Sequence, residues 1–588
     1  MIKTLMKSIK GYGVPSLLSI VFVSFEVIME VSIPFVMKYL IDEMNTSNIE
    51  KIIIYSVILV VMSIFSLIFG ALAGKFCARG STGFARNLRR NIYKNITDFS
   101  FSNIDKFSTP SLVTRITTDV TNVQMSYMQI IRTAVRAPFM MIFSIIMAFM
   151  ISKELAVYFV IIVPVIFAIL ITIIYFGIRI FNRIFKKYDA LNASIQENIS
   201  GMRTVKSYVR EDYEIKKLTK ASENLKKDFT KAERLVMSDQ SIMQFAIYTL
   251  NLVVIFLGAI FVIQNGTYDE TLGLITYNKL STGDLSSLLT YGMQSLMSLM
   301  MLSMVIVTIT ISIESARRIV EVLNEKPTIV SPSNPIYNID NGEIEFKNVS
   351  FKYKEEGNKY VLSNINLKIE SGQMIGILGG TGSGKTSLVN LISRIYDVNE
   401  GEVILSGHNV KEYDVDSLRE NIAVVLQKNI LFSGSVKENL KWGNENATDE
   451  EIIHFSKLAC ADEFVSKFEG GYDYKIEQGG SNVSGGQKQR LCIARALIKK
   501  PKVLILDDST SAVDTKTDAL IRKGLREDLK ETTKIIIAQR ISSIQDADQI
   551  IVMDNGMING IGNHEELMKN NEIYRDIYNS QNRIKEAE

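Results

Sequence analysis

Up to about residue 313 the chain is built from long apolar runs that polar residues barely interrupt: 16–37, 52–74, 137–152, 155–178, 242–263 and 288–313. A helix needs about 20 apolar residues to cross a bilayer, and five of the six runs reach that length, 137–152 being the shortest. Six transmembrane helices are predicted, because buried helices of a soluble protein rarely give apolar runs so long and so numerous. The texture changes after "NEKPTIVSPSNP" (324–335), which holds Pro327, Pro332 and Pro335, three of only nine prolines in the chain. Beyond it, short strand-like runs such as "MIGIL", "NIAVVL", "KVLIL" and "KIIIA" alternate with helical stretches. That alternation predicts an α/β domain with a largely parallel sheet. The expected fold is therefore multidomain: an all-α transmembrane domain over 1–323, a linker over 324–340 and an α/β domain over 341–588.

Charge orients the first domain. The connection 75–136 carries Arg79, Arg86, Arg89, Arg90, Lys94, Lys106, Arg115 and Arg132 against Asp98, Asp105 and Asp119, and 179–234 is also rich in Lys and Arg, whereas "IDEMNTSNIEK" (41–51) is acidic. An excess of Lys and Arg marks cytoplasmic loops, so both long loops, both termini and the α/β domain are expected in the cytoplasm of a bacterial cell, with the helices in its membrane. The long loops lack Pro/Gly punctuation and are expected to extend the spans as helices. "MIKTLMKSIKGYG" places Lys3, Lys7 and Lys10 apart from Ile2, Leu5, Met6 and Ile9, as an interfacial helix does. A cleaved signal peptide is disfavoured by Glu26 inside the first apolar run and by the lack of a small-residue cleavage site after it.

The formal charge of +3 over 588 residues offers no basic surplus for nucleic acid. Cys77, Cys460 and Cys492 form no CxxC pair, and His408, His454 and His564 are scattered, so neither a disulfide framework nor a metal cluster is expected.

The chemistry lies in the second domain. "GGTGSGKT" (379–386) follows the strand-like "MIGIL" and opens the helical "SLVNLISRI", which is the G-x-x-x-x-G-K-[ST] pattern in its strand, loop, helix context. Gly379, Gly382 and Gly384 let backbone N–H groups turn toward a phosphate, and Ser383 and Ser387 flank them at the start of a helix whose positive end faces the same point. Lys385 should reach the β- and γ-phosphates and Thr386 should ligate Mg²⁺, so ATP or GTP binding is predicted. "VLILD" (503–507) ends on Asp507, placed to hold the Mg²⁺ through its water shell, and Asp508 follows where an attacking water would be oriented.

"SNVSGGQKQR" (481–490) adds a resemblance to ATP-binding cassette (ABC) transporters. Ser484, Gly485, Gly486 and Gln487 resemble the family's signature motif, with Val483 in place of its usual leucine; Gln427 resembles the Q-loop, Tyr353 the aromatic residue that stacks on adenine, and "SAVD" (511–514), ending on Asp514, the D-loop. "TPSLVTRITTDV" (109–120) and "ALNASIQENISGMRTVKSYVRE" (190–211) are similar to the cytoplasmic loops of the family's six-helix exporters, so nearly the whole chain resembles an exporter half. The resemblance implies ATP and Mg²⁺ as cofactors, with Gln427 joining Thr386 and Asp507 at the metal. It also implies a second half-transporter chain, since each ATP of this family sits between the phosphate loop of one chain and the signature of the other.

Two positions depart from the pattern. The family usually has glutamate where Asp508 stands and histidine where Gln539 stands. An aspartate base is drawn back by one methylene, and a glutamine cannot gain positive charge beside a developing anion. With Gln427, these two residues are the catalytic candidates, and they resemble the degenerate, slowly hydrolysing half of a heterodimeric multidrug exporter, whose partner supplies glutamate and histidine. A slow homodimer exporting lipid or peptide, or a regulatory membrane ATPase that moves no cargo, is the alternative. For cargo, Glu26 and Glu30 lie on one face of the first span; ionisable groups at this depth serve either a cation-accepting wall or a pair with an arginine or lysine of a neighbouring helix. Met293, Met297, Met300, Met301 and Met304 recur at helical spacing in the sixth span, which packing also explains.

Overall fold

A computed structural model describes residues 1–46, 48–269, 274–277, 280–353, 360–509 and 512–587. Side-chain placement within some helices is described for only part of their residues. The chain divides into two compact units: Met1–Thr97 with Ser108–Glu325, and Asp98–Phe107 with Lys326–Glu588.

In the first unit, among the described residues, six helices are long and apolar enough to cross a membrane. They are α1 (Gly13–Thr46), α2 (Ile49–Asp98), α3 (Thr109–Ile151), α4 (Lys153–Ser200), α5 (Glu211–Asn265) and α6 (Thr282–Asn324). A helix satisfies every backbone donor and acceptor within itself, which is why apolar run length alone predicts these elements in lipid. The basic connections extend the helices, as α2, α4 and α5 show by running to 50, 48 and 55 residues, and each is interrupted once by a turn that carries a short helix, Phe101–Phe107 in the first and Met202–Ser207 in the second. The amino-terminal stretch forms a short helix, Ile2–Met6, and a 3-10 turn. Asn87 of α2 fastens it by donating to the carbonyls of Ser8 and Lys10.

The core of this unit gathers Val27 and Val31 of α1, Phe159 of α4, Leu250 of α5 and Leu288, Tyr291 and Leu296 of α6. Polar groups inside it are paired across helices, which apolar surroundings require: Tyr291 donates to the carbonyl of Val31 at 2.8 Å and Ser287 to that of Pro34 at 2.6 Å. Helix α3 is not uniform, since Arg115–Asp119 widens into a π turn. Asp119, fully buried, accepts from Ser315 and from two guanidinium nitrogens of Arg318, and Arg115 reaches Glu321, so this turn is clamped to α6 by charge.

In the second unit the strands longer than two residues are β1 (Ile344–Phe351), β2 (Leu362–Ile369), β3 (Met374–Gly379), β4 (Glu400–Leu405), β5 (Ile422–Val425), β6 (Val503–Asp507), β7 (Thr533–Ile537), β8 (Gln549–Asp554) and β9 (Met557–Gly562). One sheet has the order β9-β8-β3-β7-β6-β5, parallel except for the edge pair β8–β9. A second, antiparallel sheet has β1 between β2 and β4. Strands β6 and β7 are buried along their whole length, the continuous apolar signature of central parallel strands. The carboxyl ends of β3, β6 and β7 lie side by side, and ligands of open α/β sheets bind at such ends.

Residues 98–107 break from the sequence boundaries, because they interrupt the first unit and belong to the second. Their short helix, Phe101–Phe107, is held by Asn103 donating to the carbonyl of Lys326 (3.1 Å), by a 2.8 Å bond between the hydroxyls of Ser102 and Thr328, and by Tyr396 donating to Asp105 (2.8 Å).

Candidate functional site

Strand β3 ends in the glycine loop, and helix α7 (Lys385–Ile392) begins directly after it. Gly384, the residue before α7, has φ +95°, and a Cβ there would come within 2.7 Å of Leu362 Cδ2 and 3.1 Å of the Val361 carbonyl. Gly382 also sits in the left-handed region, at φ +83°. The loop therefore demands glycine for backbone conformation, and at Gly384 for space as well. Gly384→Ala is expected to cost about 1–2 kcal/mol from the backbone alone and to weaken ATP binding. Titration of the full-length protein with a fluorescent ATP analogue checks this, and unchanged affinity would remove the conformational requirement.

The Lys385 ammonium lies against the loop itself, donating to the carbonyls of Gly379 (2.8 Å) and Gly380 (2.7 Å), with Ser383 Oγ at 3.4 Å. Burial pushes its pKa down from the ordinary lysine value, opposed by the charges of Asp507 and Asp508. One residue further, Thr386 Oγ1 donates to Asp507 Oδ2 at 2.9 Å. Asp507 closes β6, and burial raises its pKa while the Thr386 hydroxyl opposes the shift. A hydroxyl and a carboxylate at this spacing are two hard oxygen donors, the set that suits Mg²⁺.

Asp508 leaves the strand with φ 47°, a left-handed conformation that aspartate tolerates better than most residues. Its backbone N–H bonds the Ile537 carbonyl, and its Oδ2 accepts from Gln539 Nε2 at 2.9 Å and from Gln427 Nε2 at 3.4 Å. Burial raises the Asp508 pKa, and the two amides work against that rise. All three candidates taken from different parts of the sequence thus meet at one carboxylate oxygen. Gln427, expected at the metal, has its amide on Asp508.

Tyr353 packs edge-on against Phe351 (centroids 4.9 Å apart) and Tyr396 (5.1 Å), and its hydroxyl bonds Ser387 of α7 at 2.8 Å. Tyr396 was not singled out by the sequence; it also meets Phe101 at 6.5 Å and holds Asp105. Burial and the Asp105 carboxylate push its phenol pKa above the usual tyrosine range. No local motif marks Tyr396, because its partners are far away in the chain.

Ser484 caps helix α8 (Gly485–Ile498) with a reciprocal pair: its hydroxyl accepts from the Gln487 N–H (3.3 Å), and Gln487 Oε1 accepts from the Ser484 N–H (2.8 Å). A Cβ on Gly486 would meet the Ala512 carbonyl at 2.8 Å, whereas one on Gly485 would reach only ordinary contact with Ala512. Ala512 is tied to α8 by its N–H bond to Gln489 (3.0 Å). Ser511 lies outside the described residues. Asp514 caps the helix Thr515–Asp528 by accepting from the Thr517 N–H at 2.9 Å, which holds its carboxyl below the usual aspartate value.

In the first unit the two glutamates of α1 are paired. Arg136 of α3 donates from Nη1 to Glu26 Oε1 at 2.5 Å and from Nη2 to both oxygens of Glu30 at 2.8 Å. Of the two expectations, pairing with a neighbouring helix describes Glu26. Glu30 is paired as well, and with Arg136 and Met297 it lines a cavity.

Residues 16–280 match the family model of the ABC transporter transmembrane region, and residues 362–511 match the family model described as ABC transporter. The chain is 32% identical over 574 residues to the uncharacterized ABC transporter ATP-binding protein YfiB of Bacillus subtilis, covering 97% of both chains. It belongs to the ABC transporter family. A second relative, the uncharacterized ABC transporter ATP-binding protein Rv1273c of Mycobacterium tuberculosis, is 33% identical over 509 residues, 86% of this chain and 85% of its own. Among solved structures, a bacterial Atm1-family ABC exporter with ATP bound matches with TM-score 0.82 at 22% identity, covering 97% of this chain and 99% of that one, a likeness of fold. This ABC transporter is therefore a membrane protein with an exporter fold, an ATP-binding domain and an ATPase activity coupled to transport.

Proposed function

We propose that this chain is one half of a heterodimeric exporter of amphipathic small molecules, and that its own phosphate loop forms the slower of the two ATP sites. The reading rests on Asp508: a short carboxylate engaged by two glutamine amides stands where the family carries glutamate, beside a loop whose binding residues are all present. In this reading Gly379, Gly382, Ser383, Gly384, Lys385, Thr386 and Ser387 cradle the triphosphate and Tyr353 stacks on adenine. Thr386 and Asp507 would hold Mg²⁺, joined by Gln427, and the metal would supply positive charge that neutralises the phosphates. Asp508 and Gln539 orient the attacking water poorly, because the carboxylate is one methylene short and its Oδ2 is engaged by two glutamine amides. Ser484, Gly485, Gly486, Gln487 and Asp514 complete the site on the partner chain, which provides glutamate and histidine. The basic segments 75–136 and 179–234 support a cytoplasmic ATP-binding domain, and the bacterial relatives support a bacterial cell membrane.

The intact mass of the complex drawn from native membranes through a tag on this chain tests the pairing. Two different chains are expected, the second with glutamate and histidine at the matching positions. Recovery of this chain paired only with itself would overturn the asymmetric reading, and Asp508 would then serve in both sites.

A further inference from the structure

The cavity that Glu30 lines in the first unit has a volume of about 410 Å³ and is walled by α1, α3 and α6. Its charged lining is Glu30 and Arg136; its apolar wall includes Met140, Met297 and Met301. Glu26 stands behind the wall, with only 7% of its side chain exposed, where Gly70 of α2 leaves room for its carboxylate. Its second oxygen, Oε2, is buried with no hydrogen-bond partner among the described residues. Arg132, one turn along α3, lies toward Gly74 and is outside the lining.

Within this group two carboxylates share one guanidinium. Arg136 spends Nη1 on the buried Glu26 and Nη2 on the cavity-facing Glu30, so the group as it stands carries one formal negative charge. Uncompensated charge at membrane depth is costly, and the sign of the remainder selects among cargoes. A neutral guest leaves the charge uncompensated. An anion adds to it. A monocation cancels it and lets each carboxylate have a cation of its own.

We propose that this cavity takes an amphipathic monocation, whose charged group replaces Arg136 at Glu30 while Arg136 remains on Glu26. Arg136 thus acts as a built-in stand-in for the cargo's charge and keeps Glu30 compensated between transport cycles. The three methionines receive the apolar body, since flexible thioether side chains repack around differently shaped guests. Selectivity is then set by charge and is loose in shape. The inference rests on the transport reading for its purpose, but the binding it describes is measurable without transport.

The test is equilibrium binding of radiolabelled tetraphenylphosphonium to the full complex in lipid nanodiscs, without nucleotide, with empty nanodiscs subtracted. Triphenylphosphine oxide, a neutral compound of related shape, serves as competitor. The cation is expected to bind at least about tenfold more tightly than the neutral compound. Glu30→Gln should erase most of that preference without changing affinity for the neutral compound. Glu26→Gln should also reduce it, although Glu26 lies behind the wall, because it leaves Arg136 and Glu30 as a neutral pair. Equal affinity of the two probes in the native protein overturns the proposal, even if neither variant assembles. So does a Glu30→Gln protein that binds ATP normally and keeps the full preference. Selective binding without ATP-driven movement of the cation in sealed vesicles would leave this inference standing and remove the export reading. Movement of the neutral compound with no preference for the cation would do the reverse.

Discussion

Replacing Ser484 by alanine is expected to lower ATP turnover of the assembled complex by about a hundredfold, the usual cost of removing one preorganised donor from a charged transition state. The local structure allows this loss to be separated from unfolding. Ser484 caps α8 through a 3.3 Å bond from the Gln487 N–H, and losing a cap costs about 1 kcal/mol. Helix α8 keeps Leu491, Ile493 and Leu497 in the core, so that cost leaves the helix in place. The capping bond made by Gln487 to the Ser484 N–H uses backbone and survives the substitution. Nucleotide binding to this chain's own loop should therefore be unchanged while hydrolysis collapses. Steady-state ATPase measured beside ATP-analogue binding gives both quantities, and undiminished turnover would mean that the signature of this chain serves no site on the partner.

The double variant Asp508→Glu, Gln539→His is expected to speed hydrolysis at this chain's own site by about tenfold or more, since misplacement of a reacting group by about an ångström costs up to about a hundredfold. The partner's site already turns over, so ATPase of the whole complex should rise by up to about twofold if the two sites act independently. Each change removes one obstacle. Glutamate carries its carboxylate one methylene further from the strand end. Histidine removes the amide that holds Asp508 Oδ2 at 2.9 Å and can carry charge beside the γ-phosphate. Neither substitution alone should recover the full gain, because Gln427 and Gln539 act on the same oxygen. Single and double variants assayed together measure that coupling. If the double variant turns over ATP no faster than the native complex, the shortness of Asp508 is not what limits this site.

The glycine loop was legible because its residues are contiguous and their conformations local: Gly382 and Gly384 need left-handed backbone wherever the rest of the chain goes. The six apolar runs were legible for a related reason, since a helix in lipid closes its own hydrogen bonds and needs no partner to exist. The signature was recognisable as a string, but its closeness to Ala512, which forbids a side chain at Gly486, was not.

The number of spans, the change from an all-α to an α/β domain and the presence of a phosphate-binding loop could be read from the chain before folding, because each is encoded within a few turns of it. Which charges meet is set by packing. Arg136 is separated from Glu26 by 110 positions, Gln427 from Asp508 by 81, and Tyr396 from Asp105 by 291. The same holds for residues 98–107, whose membership of the second unit depends on bonds to Lys326, Thr328 and Tyr396. Periodicity reports which face of a helix is apolar and leaves open which polar group of another element will oppose it. A buried charge takes its function from that opposing group, and so the compensation of Glu30 and the engagement of Asp508 emerged only when distant segments were packed together.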